Sequence, residues 1–81
     1  MLIEYVRDKK RRPVGVVVAT GKHQIGWSKC NRLDEWDRQK ALMIAKNRAN
    51  AGMERDVFAN APYDIMTAVE KMEDRALKYY Q

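Results

Sequence analysis

Val14-Gly15-Val16-Val17-Val18-Ala19-Thr20 is the stretch that decides the fold. β-Branched residues dominate it, and alternate side chains of a strand point to opposite faces. Val14, Val16 and Val18 then share one face, and Gly15, Val17 and Ala19 the other. Both faces are apolar or small, which predicts a central strand covered on both sides. Upstream, Leu2 to Arg7 reads as a strand. The charged connector Asp8 to Pro13 follows it, and Pro13 stops any helix there. Downstream, Gly21-Lys22-His23 makes a turn and Gln24 to Lys29 returns as a third strand. Ile25 and Trp27 face one way in it, Gly26 and Ser28 the other. Short connections between consecutive strands favour an antiparallel meander.

Helical patterning follows. Asn31 or Asp34 can cap a helix, with Asp34, Glu35 and Asp37 in its first turn, where the helix dipole favours negative charge. That helix should run to about Ala51, with Gly52 as its C-terminal cap. Its apolar residues spread over more than one face, which predicts contact with the sheet and a further surface. Val57 and Phe58 are expected anchors in the connection that follows. Asp64 can cap the last helix, Ile65 to Tyr80, whose stripe Ile65, Ala68, Val69, Met72, Ala76 and Tyr79 recurs at helical spacing. Asp74 and Lys78 are placed for an i,i+4 ion pair on its other side. The expected class is α+β: a three-stranded antiparallel sheet (a meander) followed by two α-helices packed on it, β-β-β-α-α. A chain of 81 residues suits one domain, 1–81.

Charge is the most informative bulk property. The chain has 16 basic and 11 acidic residues, a net of +5. Residues 1–32 hold eight basic residues (Arg7, Lys9, Lys10, Arg11, Arg12, Lys22, Lys29 and Arg32) against two acidic, while 33–81 hold eight against nine. The positive field therefore traces to the N-terminal third and points to an anionic partner. Four adjacent cations, Lys9-Lys10-Arg11-Arg12, can neutralise phosphates at a hairpin tip, with salt-dependent affinity. The competing reading is a solvated turn kept charged for solubility. Lys22 and Lys29 could extend the surface, although Lys9 and Lys22 sit at opposite ends of the central strand.

Catalysis finds little support. No oriented base stands beside a nucleophile, His23 reads as an exposed turn residue, and Cys30 as a small buried hydrophobe. One His and one Cys cannot make a four-ligand metal site alone, and no cofactor motif is visible. No apolar run approaches the roughly 20 residues that cross a bilayer. With no signal peptide ahead of the first strand and a free cysteine, the expected location is the cytosol, with no membrane partner. Trp27 and Trp36 read first as core and second as interface or base-stacking residues. The last helix is apolar enough to pair with a copy of itself, which allows a homodimer.

The segment IGWSKCNRLDEWDRQKALMIAKNRA, Ile25 to Ala49, resembles a segment of small uncharacterised phage and prophage proteins. In these a strand ending in a Gly-aromatic-Ser-x-Cys-Asn run leads through an acidic cap into a helix ending Ile-Ala-x-x-Arg-Ala. The matching positions are Gly26, Trp27, Ser28, Cys30, Asn31, Asp34, Ile44, Ala45, Arg48 and Ala49, about a third of the chain. The resemblance implies a non-enzymatic binding protein of a phage or mobile element, acting in the host cytosol as an inhibitor of a defence or nucleic-acid-processing factor. Its partner would be a host protein or a protein–nucleic acid complex. Ser28, Asn31 and Arg48 are then the polar positions to suspect, together with Trp27 and Trp36, as a pocket or interface. The alternatives are direct DNA or RNA binding through phosphate contacts by the basic N-terminal hairpin, and an oligomeric sponge for a signalling nucleotide.

Overall fold

The computed structural model describes residues 1–30, 35–52 and 61–80. Strands β1 (Leu2–Arg7), β2 (Pro13–Gly21) and β3 (Gln24–Lys29) precede helices α1 (Arg38–Ala51) and α2 (Tyr63–Tyr79). The sheet is antiparallel in the order β1-β2-β3, as the alternation of β2 predicts. Tyr5 lies opposite Val16, and Val17 opposite Trp27. The expected anchors Val57 and Phe58 lie outside the described residues.

The two helices cover opposite faces of the sheet. Val6, Val17, Ala19 and Ile25 meet Ile65, Ala68, Val69, Met72 and Ala76 of α2. Val16 and Val18 meet Ala45 of α1, with Ile3, Tyr5, Trp36, Ala41 and Leu42 around them. Val16, Val17 and Val18 are therefore all fully buried. Val14 departs from the expected alternation, since it packs with the α2-side cluster and not with Val16 and Val18. The ladder slips between Val6 and Arg7, opposite this point, and such a slip changes local twist and side-chain direction.

Helix boundaries differ from expectation at both N-termini. The cap of α1 is Asp37, whose Oδ1 accepts from the Lys40 backbone N–H at 3.1 Å. The helix thus begins at Arg38 and has no acidic residue inside its first turn. Asn31 and Asp34, the expected caps, lie outside the described residues. α2 starts directly after Pro62, so Asp64 is inside the helix and not its cap. Gly52 does end α1, at φ 72°, as expected.

Tyr79 was expected on the apolar stripe but is 64% exposed. Tyr80 takes its place: the chain leaves helical geometry there, and its hydroxyl donates to the Ala19 carbonyl at 3.1 Å. Because the stripe of α2 is spent on the sheet, its exposed large apolar side chains are Tyr63 at one end and Leu77 and Tyr79 at the other, not a continuous face for a second copy. Asp74 and Lys78 form no ion pair; Arg75 instead reaches across to Glu4 of β1 at 2.8 Å.

Candidate nucleic-acid interface

The basic turn is organised by one carboxylate. Asp8 Oδ1 accepts from the backbone N–H groups of Lys10 (2.8 Å) and Arg12 (2.9 Å), and Oδ2 pairs with Arg12 Nε at 3.1 Å. Arg11 N–H donates to the Asp8 carbonyl at 3.0 Å, which bends the chain enough to place Arg11 at φ 63°. Arg7 Nη1 then closes on the Arg11 carbonyl at 3.1 Å. Arg12 is thereby partly neutralised, whereas Lys9, Lys10 and Arg11 are exposed and form no ion pair among the described residues.

The Arg12 N–H, assisted by the Lys10 N–H and the Arg12 guanidinium, holds the Asp8 carboxyl below the ordinary aspartate value of 3.8. A lowered folded-state pKa means the carboxylate stabilises the turn at every pH above that ordinary value. The contribution disappears as pH falls through the folded pKa. The amide resonances of Lys10 and Arg12 are expected to titrate together in an NMR pH series, with a midpoint below 3.8. A midpoint at or above that value would show the carboxylate is not held by these donors.

The other cations singled out from sequence are dispersed. Lys29 is tied to Asp64 of α2 at 3.1 Å. Lys22 stands with His23 at the opposite end of the sheet, in a shallow depression with Ile25, Glu73 and Leu77. Arg32 lies outside the described residues. One continuous basic patch of Lys9 to Arg12, Lys22 and Lys29 is therefore absent.

Ser28, Trp27 and Arg48 do converge, at the seam between β3 and α1. Ser28 is buried, and its Oγ donates to the Ala41 carbonyl at 2.9 Å. The Cys30 N–H donates to the Val14 carbonyl, so Ser28 and Gly26 face β2 with their backbone groups and Trp27 turns its own outward. Arg48 Nη1 donates to that outward Trp27 carbonyl at 2.8 Å, and its guanidinium lies 5.7 Å from the indole centroid. Both contacts pin α1 to the open edge of the sheet, so Arg48 and Ser28 are explained by packing. Trp27 is half-buried against the α2-side core, and Trp36, also half-buried, meets Tyr5 edge-on at 6.5 Å. Cys30 is half-buried, less covered than expected. Asn31 lies outside the described residues.

No family model, curated protein or solved structure matches the chain.

The two helices differ sharply in charge. α1 carries Arg38, Lys40, Lys46 and Arg48 and no carboxylate, while α2 carries Asp64, Glu70, Glu73 and Asp74 against Lys71, Arg75 and Lys78. Counting residues 33–81 together averages a basic helix with an acidic one. Because the helices lie on opposite faces of the sheet, the averaged charges are in fact separated through the molecule. Both helices also point their N-termini, the positive dipole ends, toward the basic turn. Ser28 bonds to Ala41 and Lys29 to Asp64 at the end of β3 that adjoins the start of β2.

Between β3 and the start of α1 lies a groove of about 1050 Å³, lined among the described residues by Lys29, Trp36, Arg38 and Lys40 with Glu35 and Asp37. Two carboxylates among three cations, with Lys29 already paired, make it a poor trap for an anionic nucleotide. No described helix is long and apolar enough to cross a membrane.

Proposed function

We propose that the protein is a non-enzymatic binding module whose partner is nucleic acid, held through its phosphates. The observation that carries this reading is the four-cation, carboxylate-free helix α1 on one face of a sheet whose other face holds the more acidic α2. The outward Lys9, Lys10 and Arg11 of the turn add a second set of phosphate contacts. A positive field on one side orients the molecule toward a polyanion and sets a steep salt dependence. The role implied by the phage resemblance, interference with a host nucleic-acid-processing factor, would then be exercised by competing for the nucleic acid that factor uses.

The test is fluorescence anisotropy with a labelled oligonucleotide over a salt series. Affinity is expected to fall linearly on logarithmic axes, by about 0.9 in slope for each phosphate neutralised on duplex DNA. The turn variant Lys9→Ala/Lys10→Ala/Arg11→Gly, in which glycine suits φ 63° at position 11, should lower the slope by roughly 2 to 3 if each cation meets a phosphate. No binding at low salt would overturn the reading.

A further inference from the structure

We propose that the outer face of α1 is a groove-reading surface for duplex DNA. The inference rests on the nucleic-acid reading above and deepens it. Gln39, Lys40, Met43, Lys46, Asn47 and Asn50 are all exposed and recur at helical spacing on the side of α1 away from Ala45 and Ala49, which are buried on the sheet. Among the described residues, none of these six side chains makes a hydrogen bond or ion pair within the protein. Packing therefore does not explain them, in contrast to Ser28 and Arg48.

Their chemistry matches base edges. Asparagine and glutamine offer a donor and an acceptor together, the pattern that pairs with adenine in the major groove. Lysine donates to guanine or to phosphate, and an apolar side chain such as Met43 can meet a thymine methyl. Carboxylates would be repelled by the phosphates, and α1 itself has none; Glu35 and Asp37 precede it and share a groove with Gln39 and Lys40, which leaves Met43, Lys46, Asn47 and Asn50 clear of them.

The shape matches as well. A helix with its side chains is about 10–12 Å across, and the major groove about 12 Å wide. α1 packs on β3, the sheet edge, and on β2. Strands spaced about 4.8 Å apart make a three-stranded scaffold only ~10 Å wide. Among the described residues, no other element flanks α1 on the far side of β3. Two contacts hold α1 at a fixed position on the sheet: the Arg48 bond to Trp27, and the close approach of Ala45 and Ala49 to Gly26.

The same features disfavour other nucleic acids. A-form RNA has a deep, narrow major groove that side chains do not read. Single strands are gripped by stacking on aromatic rings, and α1 contains no aromatic residue.

The experiment compares wild type, Met43→Glu and Asn47→Ala/Asn50→Ala with three probes: a duplex DNA of mixed sequence, the duplex RNA of the same sequence, and one DNA strand. Thermal melts confirm folding, which Met43 at 58% exposure should not affect. Wild type is expected to prefer duplex DNA at least about tenfold over both other probes. Met43→Glu, which places a carboxylate in the middle of the face, should weaken duplex binding by about tenfold or more. In selection from a randomised duplex pool, wild type should enrich a motif that the double amide variant does not, because a good bidentate pair discriminates by roughly 5- to 150-fold. Equal binding by Met43→Glu, or tighter binding of duplex RNA or single strand, would overturn the groove-reading face and leave phosphate binding standing. Absence of binding by wild type to all three probes would remove both.

Discussion

Gly26→Ala should be among the most destabilising single-methyl changes in this protein, at about 3 kcal/mol or more. A β-carbon at position 26 would collide with the carbonyl oxygen of Ala45 and the backbone nitrogen of Ala49, and would press on the Ala49 Cα at 3.0 Å. These are backbone atoms of α1, so no side-chain rotation relieves the overlap. The helix must lift off the strand, opening the seam where Ser28 bonds to Ala41 and where Val16 and Val18 are buried. In a domain of under 100 residues each kcal/mol lowers Tm by about 4–8 °C, so a thermal melt followed by circular dichroism suffices. A shift of only a few degrees would show that α1 is not seated on Gly26. Gly52→Ala is the control: nothing lies within 4 Å, and only its φ of 72° resists a side chain, at a cost of ~1 kcal/mol.

The second large effect is expected at Ile65→Ala, between about 2 and 5 kcal/mol. Ile65 is fully buried, and its Cδ1 would lie 2.9 Å from a β-carbon at Gly15. Gly15 has no side chain with which to fill the void, so little collapse offsets the loss. Two further variants make the pairing specific. Gly15→Ala should be costly alone and cheaper in an Ile65→Val background, where the opposing δ-methyl is gone. Urea denaturation of the four proteins measures the coupling, expected at roughly 0.5–3 kcal/mol. Additivity would mean that Ile65 does not occupy the hollow at Gly15. The carbonyl of Ser28, 3.0 Å from the same point, keeps the rescue partial.

The residues that explain the architecture were readable in order. Alternation in Val14 to Ala19 indicated a central strand covered on both faces, without saying what covers each. Only Val14 fell on the wrong face, beside the register slip. The helix starts were less legible. Asn31 and Asp34 were the caps the sequence offered for α1 and Asp64 the one for α2, yet Asp37 closes α1, because which candidate closes a helix depends on where the chain leaves the sheet. At the other end of α2, two adjacent tyrosines compete for one half-buried position, and Tyr80 takes it, its hydroxyl reaching the Ala19 carbonyl.

The candidate site was legible in part. The basic turn and its exposure follow from four consecutive cations before a proline. That Arg12 is drawn back to Asp8, and Lys29 to Asp64, needed coordinates, since the partner of Lys29 lies 35 residues away in sequence. α1 carried a usable signal, four cations and no acid over 14 residues, which the near-neutral balance of residues 33–81 as a whole hid.

By itself, then, the sequence determined the order of elements, the meander, the buried central strand and the basic character of the chain, because these depend on side-chain period and composition over neighbouring residues. Only the tertiary structure decided which cations are free, that Ser28 and Arg48 bind the helix to the sheet edge, and that the basic and acidic helices stand on opposite faces. Those outcomes depend on contacts between residues distant in the chain, and local patterning does not encode the direction from which a helix returns to its sheet.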